Sequence, residues 1–106
     1  MAEILEYADG KPLILNFVQH NCPKCKKFTP HFDRIAEKYT DDEAIFRNVN
    51  SRDHLDMAAD LGVTITPTMK VFVDGKVYKT VVGPQSLALS YAVDLAIEKH
   101  DDEQAI

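Results

Sequence analysis

Residues 13–25 read LILNFVQHNCPKC, an apolar run followed by two cysteines with two residues between them. The run Leu13–Val18 is nearly continuous in apolar residues, which is typical of a strand buried on both faces of a sheet. Pro23 follows the first cysteine, and the first turn of a helix tolerates proline because that N–H has no intrahelical partner. This stretch therefore predicts a central strand, a short loop and a helix that begins at the cysteines.

Length and composition predict one compact domain over residues 1–106, with a core at about 13–99 and a frayed tail at 101–106. Hydrophobic residues make up 45% of the chain and charged residues 27%, as in ordinary soluble globules. The net charge of −5 disfavours nucleic acid and anionic membranes as partners. No apolar stretch approaches the ~20 residues that span a bilayer, and the N-terminus lacks signal-peptide features. We expect a cytoplasmic monomer.

Hydrophobic periodicity and turn signals divide the chain into alternating strands and helices. The predicted helices are Ala2–Ala8, a segment from the cysteines to Tyr39 kinked at Pro30, Ser51–Leu61, and Ser86 to about His100. The predicted strands are Leu13–Val18, Ala44–Asn50, Thr68–Val73 and Lys76–Val82, with a hairpin turn at Asp74-Gly75. The predicted caps are Ser51 and Ser86 at helix starts and Gly62 just after a helix end. This order predicts an α/β three-layer sandwich, with a mixed four-stranded sheet and helices on both faces.

Cys22 and Cys25 are the only cysteines of the chain. In a reducing compartment, such a close pair is more often redox-active or metal-binding than structural. The positive end of the helix dipole favours a thiolate at Cys22, so we expect Cys22 to be the nucleophile of disulfide exchange. Cys25, one turn further and more buried, would then resolve the mixed disulfide. We expect Pro23 and Lys24 to modulate the pKa of the Cys22 thiol.

Half of a zinc or iron–sulfur site is the alternative for two cysteines, but such a site needs further ligands. The four histidines form no closely spaced pair, although His20 or His31 could complete a site with the two thiols. These two histidines could also carry protons near neutral pH, or simply be exposed. We predict no bound metal.

With the motif and the downstream residues in hand, the chain from about Leu13 to Lys99 resembles a thioredoxin. Pro30 follows the second cysteine as the family's helix-kinking proline does, and Thr66-Pro67-Thr68 resembles the family's cis-proline segment. Further matches at the family's intervals are Phe17, Phe72, Gly75 and Gly83. The resemblance implies that Pro67 is cis and packs beside the disulfide. From the residues alone, Pro67 could equally be an ordinary trans proline that begins a strand.

The resemblance also implies how the protein would work. An extended segment of a substrate protein would bind at Thr66, Pro67 and Gly83, in a strand-addition mode. The substrates would be protein disulfides, no cofactor would be bound, and electrons would come from a thioredoxin reductase or a similar donor. The residues before Leu13 are too few for the family's first strand and full first helix, so we expect that strand to be missing.

Several residues depart from the family's pattern, and Pro23-Lys24 replaces the Gly-Pro that thioredoxins usually have between the cysteines. Asn21 stands where thioredoxins usually have a tryptophan before the first cysteine, which removes a flat aromatic surface beside the nucleophile. Asn16 occupies the position of the family's buried aspartate, which assists proton transfer at the second cysteine. Because an amide does not titrate, we expect slower resolution by Cys25 unless water or another base serves. A hydrogen-bonded core amide is an equally compatible interpretation of Asn16.

Other functions remain open at this point. The pattern Cys-Pro-x-Cys is a habit of glutaredoxins, but Gly83 is followed by Pro84 where that family has a Gly-Gly pair for glutathione. Lys24 would stabilise a reduced thiolate, as in an oxidant or isomerase. A thioredoxin-fold binding module without turnover is the non-enzymatic alternative. The leading hypothesis is a thiol–disulfide oxidoreductase that reduces protein disulfides.

Overall fold

The computed structural model describes residues 10–104. The predicted helix Ala2–Ala8, and the expectation of a missing first strand, concern residues outside that range. The elements in chain order are β1 (Leu13–Val18), α1 (Pro23–Ala36), β2 (Ile45–Asn50), α2 (Leu55–Asp60), β3 (Thr68–Val73), β4 (Lys76–Val82) and α3 (Ser86–Gln104). Every predicted strand is confirmed, with β2 beginning one residue later than expected.

The strands form one mixed sheet in the order β2-β1-β3-β4. The two central strands are β1, which pairs parallel to β2 and antiparallel to β3, and β3, which also pairs antiparallel to β4. The β3–β4 turn has positive φ at both Asp74 (52°) and Gly75 (80°), as a two-residue hairpin turn requires. The predicted four-stranded mixed sheet is therefore confirmed.

Side chains of β1 alternate between the two faces of the sheet, and each face is covered by helices. One face packs Ile14 with Phe28 of α1 and Leu89 of α3 in the larger core cluster. The other face packs Leu15 and Phe17 with Met57 of α2 in the smaller cluster. The predicted three-layer sandwich with helices on both faces is confirmed, and β1 is buried between both layers as its apolar run predicted.

The last helix is longer than predicted. We expected α3 to end at about His100 and residues 101–106 to fray, but the helix continues through Gln104. Lys99 and Glu103 form an ion pair at 3.0 Å, spaced i to i+4 across the predicted end. Pairs at this spacing support a helix, and the sequence prediction did not take this pair into account. No helix in residues 10–104 is both long and apolar enough to cross a membrane.

Two predicted helix caps are wrong. Ser51 does not cap a helix, because α2 begins at Leu55 and the buried Ser51 hydroxyl donates instead to the Val18 carbonyl oxygen at 3.1 Å. Ser86 is the first helical residue of α3 rather than its cap, and the carbonyl oxygen of Gln85 accepts from the Leu89 N–H at 3.0 Å. Gly62 does follow the C-cap of α2, with a positive φ of 70°.

Candidate active site

The N-terminus of α1 presents the two cysteines at the edge where β1 ends. A loop of three exposed residues follows Val18 and leads to Cys22, the N-cap of α1, whose extended backbone has φ −113° and ψ 101°. The Cys22 Sγ accepts the Cys25 N–H at 3.1 Å, in the way that a serine oxygen usually caps a helix. Pro23 occupies the first turn, where no N–H is needed.

Cys22 and Cys25 form a disulfide, with their Cα atoms 5.2 Å apart. Cys22 keeps 9% of its surface exposed and Cys25 keeps 2%, so the sulfur chemistry is asymmetric. A partner can approach Cys22 from solvent, whereas Cys25, in the first turn of α1, is buried. This is the order of burial that a nucleophile and a resolving cysteine need.

The segment before β3 lies directly against the disulfide. The peptide bond Thr66-Pro67 is cis, as the resemblance implied. The Thr66 hydroxyl donates to Cys22 Sγ at 3.4 Å, and the Thr66 carbonyl oxygen lies 3.6 Å from the same sulfur. A disulfide sulfur has no proton, so the second contact becomes a hydrogen bond only in the thiol form. Gly83 is held nearby, because its N–H donates to the Pro67 carbonyl oxygen at 2.8 Å.

Asn16 is fully buried on the face of the sheet that α1 covers, and it belongs to a chain of three polar side chains. Its Nδ2 donates to Asn48 Oδ1 at 3.0 Å, and Asn48 Nδ2 donates to Asp33 Oδ1 at 3.3 Å. A carboxylate only accepts hydrogen bonds, so Asp33 determines how both amides are oriented. The Asn16 Oδ1 consequently points away from Asn48, buried and without a hydrogen-bond partner among residues 10–104.

Sequence reasoning missed Asn48 and Asp33. Asn16 lies opposite Asn48 in the β1–β2 register, which the sequence did not reveal. A polar residue in an otherwise apolar strand was the one signal, because a buried amide needs a partner on a neighbouring element.

The remaining predicted site residues lie at the surface. Asn21, Pro23 and Lys24 are exposed around the cysteines, and so are His20 and His31. No described residue forms an ion pair with any of these side chains. Within residues 10–104, no cluster of three or more histidine, cysteine, aspartate or glutamate side chains is arranged to hold a metal ion.

Two exposed apolar side chains that the sequence analysis did not single out precede Thr66 and Gly83 in the chain. Ile65 is 55% exposed and immediately precedes Thr66, and Val82 is 47% exposed and immediately precedes Gly83. Exposed aliphatic side chains next to a reactive group are typical of a surface that contacts a partner.

Comparisons with known proteins agree with this geometry. The thioredoxin family model matches residues 2–94. Thioredoxin F, chloroplastic, of Oryza sativa is 32% identical over 92 residues, which cover 86% of this chain and 48% of that protein. Thioredoxin of Mycoplasma genitalium is 37% identical over 77 residues, which cover 73% of this chain and 74% of that protein.

A solved structure extends the likeness to the backbone. The short form of spinach chloroplast thioredoxin f superposes with a TM-score of 0.81 at 28% identity, over 89% of this chain and 83% of that one. The chain spans about half the length of the chloroplast relatives that it matches. One conclusion follows from the Cys-x-x-Cys pair at a helix N-terminus, the cis-proline beside it and the matched family model. This chain belongs to the thioredoxin family.

Proposed function

We propose that this protein reduces disulfides in other proteins by dithiol exchange. In the reduced protein, the Cys22 thiolate attacks one sulfur of the substrate disulfide, a mixed disulfide forms, and the other substrate sulfur leaves as a thiolate. The Cys25 thiolate then attacks Cys22 Sγ, which forms the Cys22–Cys25 disulfide and releases the second substrate sulfur. Two electrons and two protons pass to the substrate in each cycle.

The observation that carries this proposal is the pair of hydrogen-bond donors on Cys22 Sγ. The Cys25 N–H lies 3.1 Å from the sulfur and the Thr66 hydroxyl lies 3.4 Å from it. Both donors, together with the positive end of the α1 dipole, stabilise negative charge on the sulfur of the reduced protein. A sulfur stabilised as an anion is both the attacking and the leaving group that disulfide exchange requires.

Substrate binding in this proposal uses the cis-proline segment. An extended segment of the substrate pairs with the backbone of Thr66, as a strand added to the sheet would. Pro67 and Gly83, joined by the hydrogen bond at 2.8 Å, hold that segment's binding edge in place. The exposed Ile65 and Val82 contact apolar side chains next to the substrate disulfide. Pro23 and Lys24 in the first turn of α1 modulate the Cys22 thiol, Lys24 by its positive charge.

An external donor closes the cycle. We propose that no cofactor is bound and that a thioredoxin reductase or a similar protein reduces the Cys22–Cys25 disulfide again. We also propose that the protein works in the cytoplasm as a monomer, since a reductase needs a compartment that keeps its dithiol reduced. Cell fractionation tests that location, and light scattering tests the monomer.

Reduction of insulin disulfides in the presence of dithiothreitol tests the activity. We expect Cys22→Ser to abolish reduction, because it removes the nucleophile. Cys25→Ser should instead stop after the first step and accumulate a mixed disulfide at Cys22, visible by mass spectrometry. A parent protein that does not accelerate insulin reduction would contradict the reductase proposal.

The same experiments separate the two alternatives. Turnover coupled to glutathione, without reduction of insulin, would indicate a glutaredoxin-like enzyme. If replacement of either cysteine leaves binding and activity unchanged, the protein is a binding module whose cysteines do not turn over.

A further inference from the structure

The α1 helix carries a continuous row of basic side chains that starts at the active site. The row, which we call the basic stripe, consists of Lys24, Lys27, His31 and Arg34 on α1, and Lys38 in the turn just after the helix ends at Ala36. The four helical residues follow one another at intervals of three and four, so at about 100° per residue they lie on one side of α1. All five are exposed, and Lys24 lies between the two cysteines.

Among the described residues, no acidic side chain forms an ion pair with this stripe. The ion pairs among residues 10–104 are Lys11–Asp42 and Lys99–Glu103, and the other close contact of this kind is between His100 and Asp74; none of them involves the stripe. The acidic residue within α1, Asp33, lies on the opposite side of the helix and accepts a hydrogen bond from Asn48. The cationic groups of the stripe therefore face solvent unpaired.

A groove runs between the stripe and α3. It has a volume of about 240 Å³ and is lined by His31, Arg34, Ile35, Lys38, Ser86, Leu87 and Ser90. Leu87 is 86% exposed, the most exposed of the large apolar side chains in the described residues. The groove thus combines positive charge on one wall with an apolar side chain on the other.

We propose that the basic stripe and this groove are a docking surface for an acidic segment of the protein partner whose disulfide reacts with Cys22. The inference rests on the proposed function and names the kind of partner it serves. Charge complementarity is the reason: unpaired cations that continue from Lys24 attract carboxylates, and Leu87 contacts an apolar side chain between them. The stripe from Lys24 to Arg34 extends about 15 Å, which suits a short peptide segment.

The net charge of the whole molecule predicts the opposite preference for partners. The chain has a net charge of −5, so a protein that acts as a uniform sphere of charge would repel acidic partners and favour basic ones. Screening limits such interactions to about 8 Å at physiological ionic strength, so the local stripe dominates once a partner is close. A measured preference for acidic partners would therefore indicate that the stripe governs partner choice, and a preference for basic partners would indicate that the net charge does.

The test uses three synthetic peptides that share the same central disulfide and differ in flanking residues, which are glutamates, lysines or serines. We expect kcat/KM to be about tenfold higher for the glutamate peptide than for the lysine peptide at low salt. The difference should vanish at high salt, because it is electrostatic. Equal values, or a preference for the lysine peptide, would overturn the docking surface.

Charge-reversal variants locate the effect. Arg34→Glu with Lys38→Glu should lower kcat/KM for the glutamate peptide about tenfold and leave the serine peptide unaffected. The control, Lys76→Glu with Lys79→Glu on β4, makes the same change in net charge away from α1. If the control lowers kcat/KM for the glutamate peptide as much as the stripe variant does, net charge explains the result and the proposal is wrong.

A binding measurement separates this proposal from the proposed function. A fluorescent glutamate peptide with serines in place of its cysteines should bind the oxidised protein at low salt, by anisotropy. The stripe variant should bind it at least about tenfold more weakly. Absence of binding, or binding that charge reversal leaves unchanged, would refute the docking surface. Binding that depends on the stripe, without reduction of any of the three peptides, would support the surface and refute the reductase.

Discussion

Replacing Asn16 by aspartate tests the electrostatics beneath the active site. The side chain is 0% exposed and lies on the face of the sheet covered by α1. In Asn16→Asp, one carboxyl oxygen takes the place of the Nδ2 that donates to Asn48 Oδ1 at 3.0 Å. Asn48 cannot turn around to donate without giving up its hydrogen bond to Asp33. The new carboxyl therefore keeps this contact only while it is protonated, since a carboxylate has no hydrogen to give.

The size of the effect follows from burial. Full burial raises the pKa of a carboxyl by up to ~3–5 units, and the retained Asn48 acceptor favours the protonated form as well. Taking a rise of about 3 units from the unfolded value of about 3.9, the native pKa is about 7. Each unit corresponds to about 1.4 kcal/mol, so the variant loses about 4 kcal/mol of unfolding free energy at pH values above the native pKa.

The sign of this pH dependence is definite. Below the unfolded pKa, the new carboxyl is protonated in both the folded and the unfolded state and does not lower the free energy of unfolding. The loss of unfolding free energy grows as the pH rises through the native pKa. Urea unfolding of the oxidised protein at pH 5 and pH 8 should therefore show Asn16→Asp far weaker at pH 8. The matched control is Asn21→Asp, which makes the same chemical change at an exposed position. If both variants have the same pH dependence, the argument from burial fails.

The same substitution has a consequence for turnover. It restores a titratable group at the position where the family has one, so we expect the resolution step at Cys25 to accelerate. An increase of about tenfold, short of the ~10²-fold of a well-placed general base, is expected in the insulin assay at pH 7. Unchanged turnover would mean that another group already accepts the proton.

Three further substitutions test individual contacts. Thr66→Val removes the hydroxyl donor 3.4 Å from Cys22 Sγ, so alkylation of the reduced protein by iodoacetamide at pH 7 should slow about two- to fivefold. Burial and a hydrogen bond to Asp94 raise the pKa of Tyr39 to about 12, so stability should fall as the pH rises from about 10 through about 12. Tyr39→Phe should cost about 1 kcal/mol in urea at pH 8 and remove that alkaline loss. Ser51→Ala should cost about 1 kcal/mol, because its hydroxyl donates to a backbone carbonyl at the end of β1.

The features that the sequence predicted well are those that depend on neighbouring residues. Asp74 and Gly75 form the expected turn because the two-residue hairpin needs positive φ at both positions, and these residue types accept it at low cost. Cys22 caps α1 for an equally local reason, since the N–H three residues later reaches its sulfur. The cis conformation of Pro67 came from the family's pattern, because most X–Pro bonds are trans.

The prediction failed where a hydrogen-bond partner distant in the sequence competed with a local one. The Ser51 side chain could cap a helix or form a hydrogen bond elsewhere. Its hydroxyl donates to the Val18 carbonyl oxygen at the end of β1. That carbonyl belongs to a strand 33 residues away, so no local pattern could reveal the competition. The helix then starts at Leu55 after His54, which makes no side-chain capping bond.

The polar chain beneath α1 shows why the same limit applies to the candidate site. The sequence indicates that Asn16 is an amide in a core strand, but the chemistry of an amide depends on which end faces inward. Asp33, an exposed carboxylate on α1, determines that orientation through Asn48 on a neighbouring strand. As a result, the amide oxygen of Asn16, and not its nitrogen, is left without any hydrogen-bond partner among residues 10–104. An oxygen can accept a hydrogen bond from a thiol or a water but repels a thiolate, so a surface residue on α1 determines which polar atom is left in the core beneath that helix.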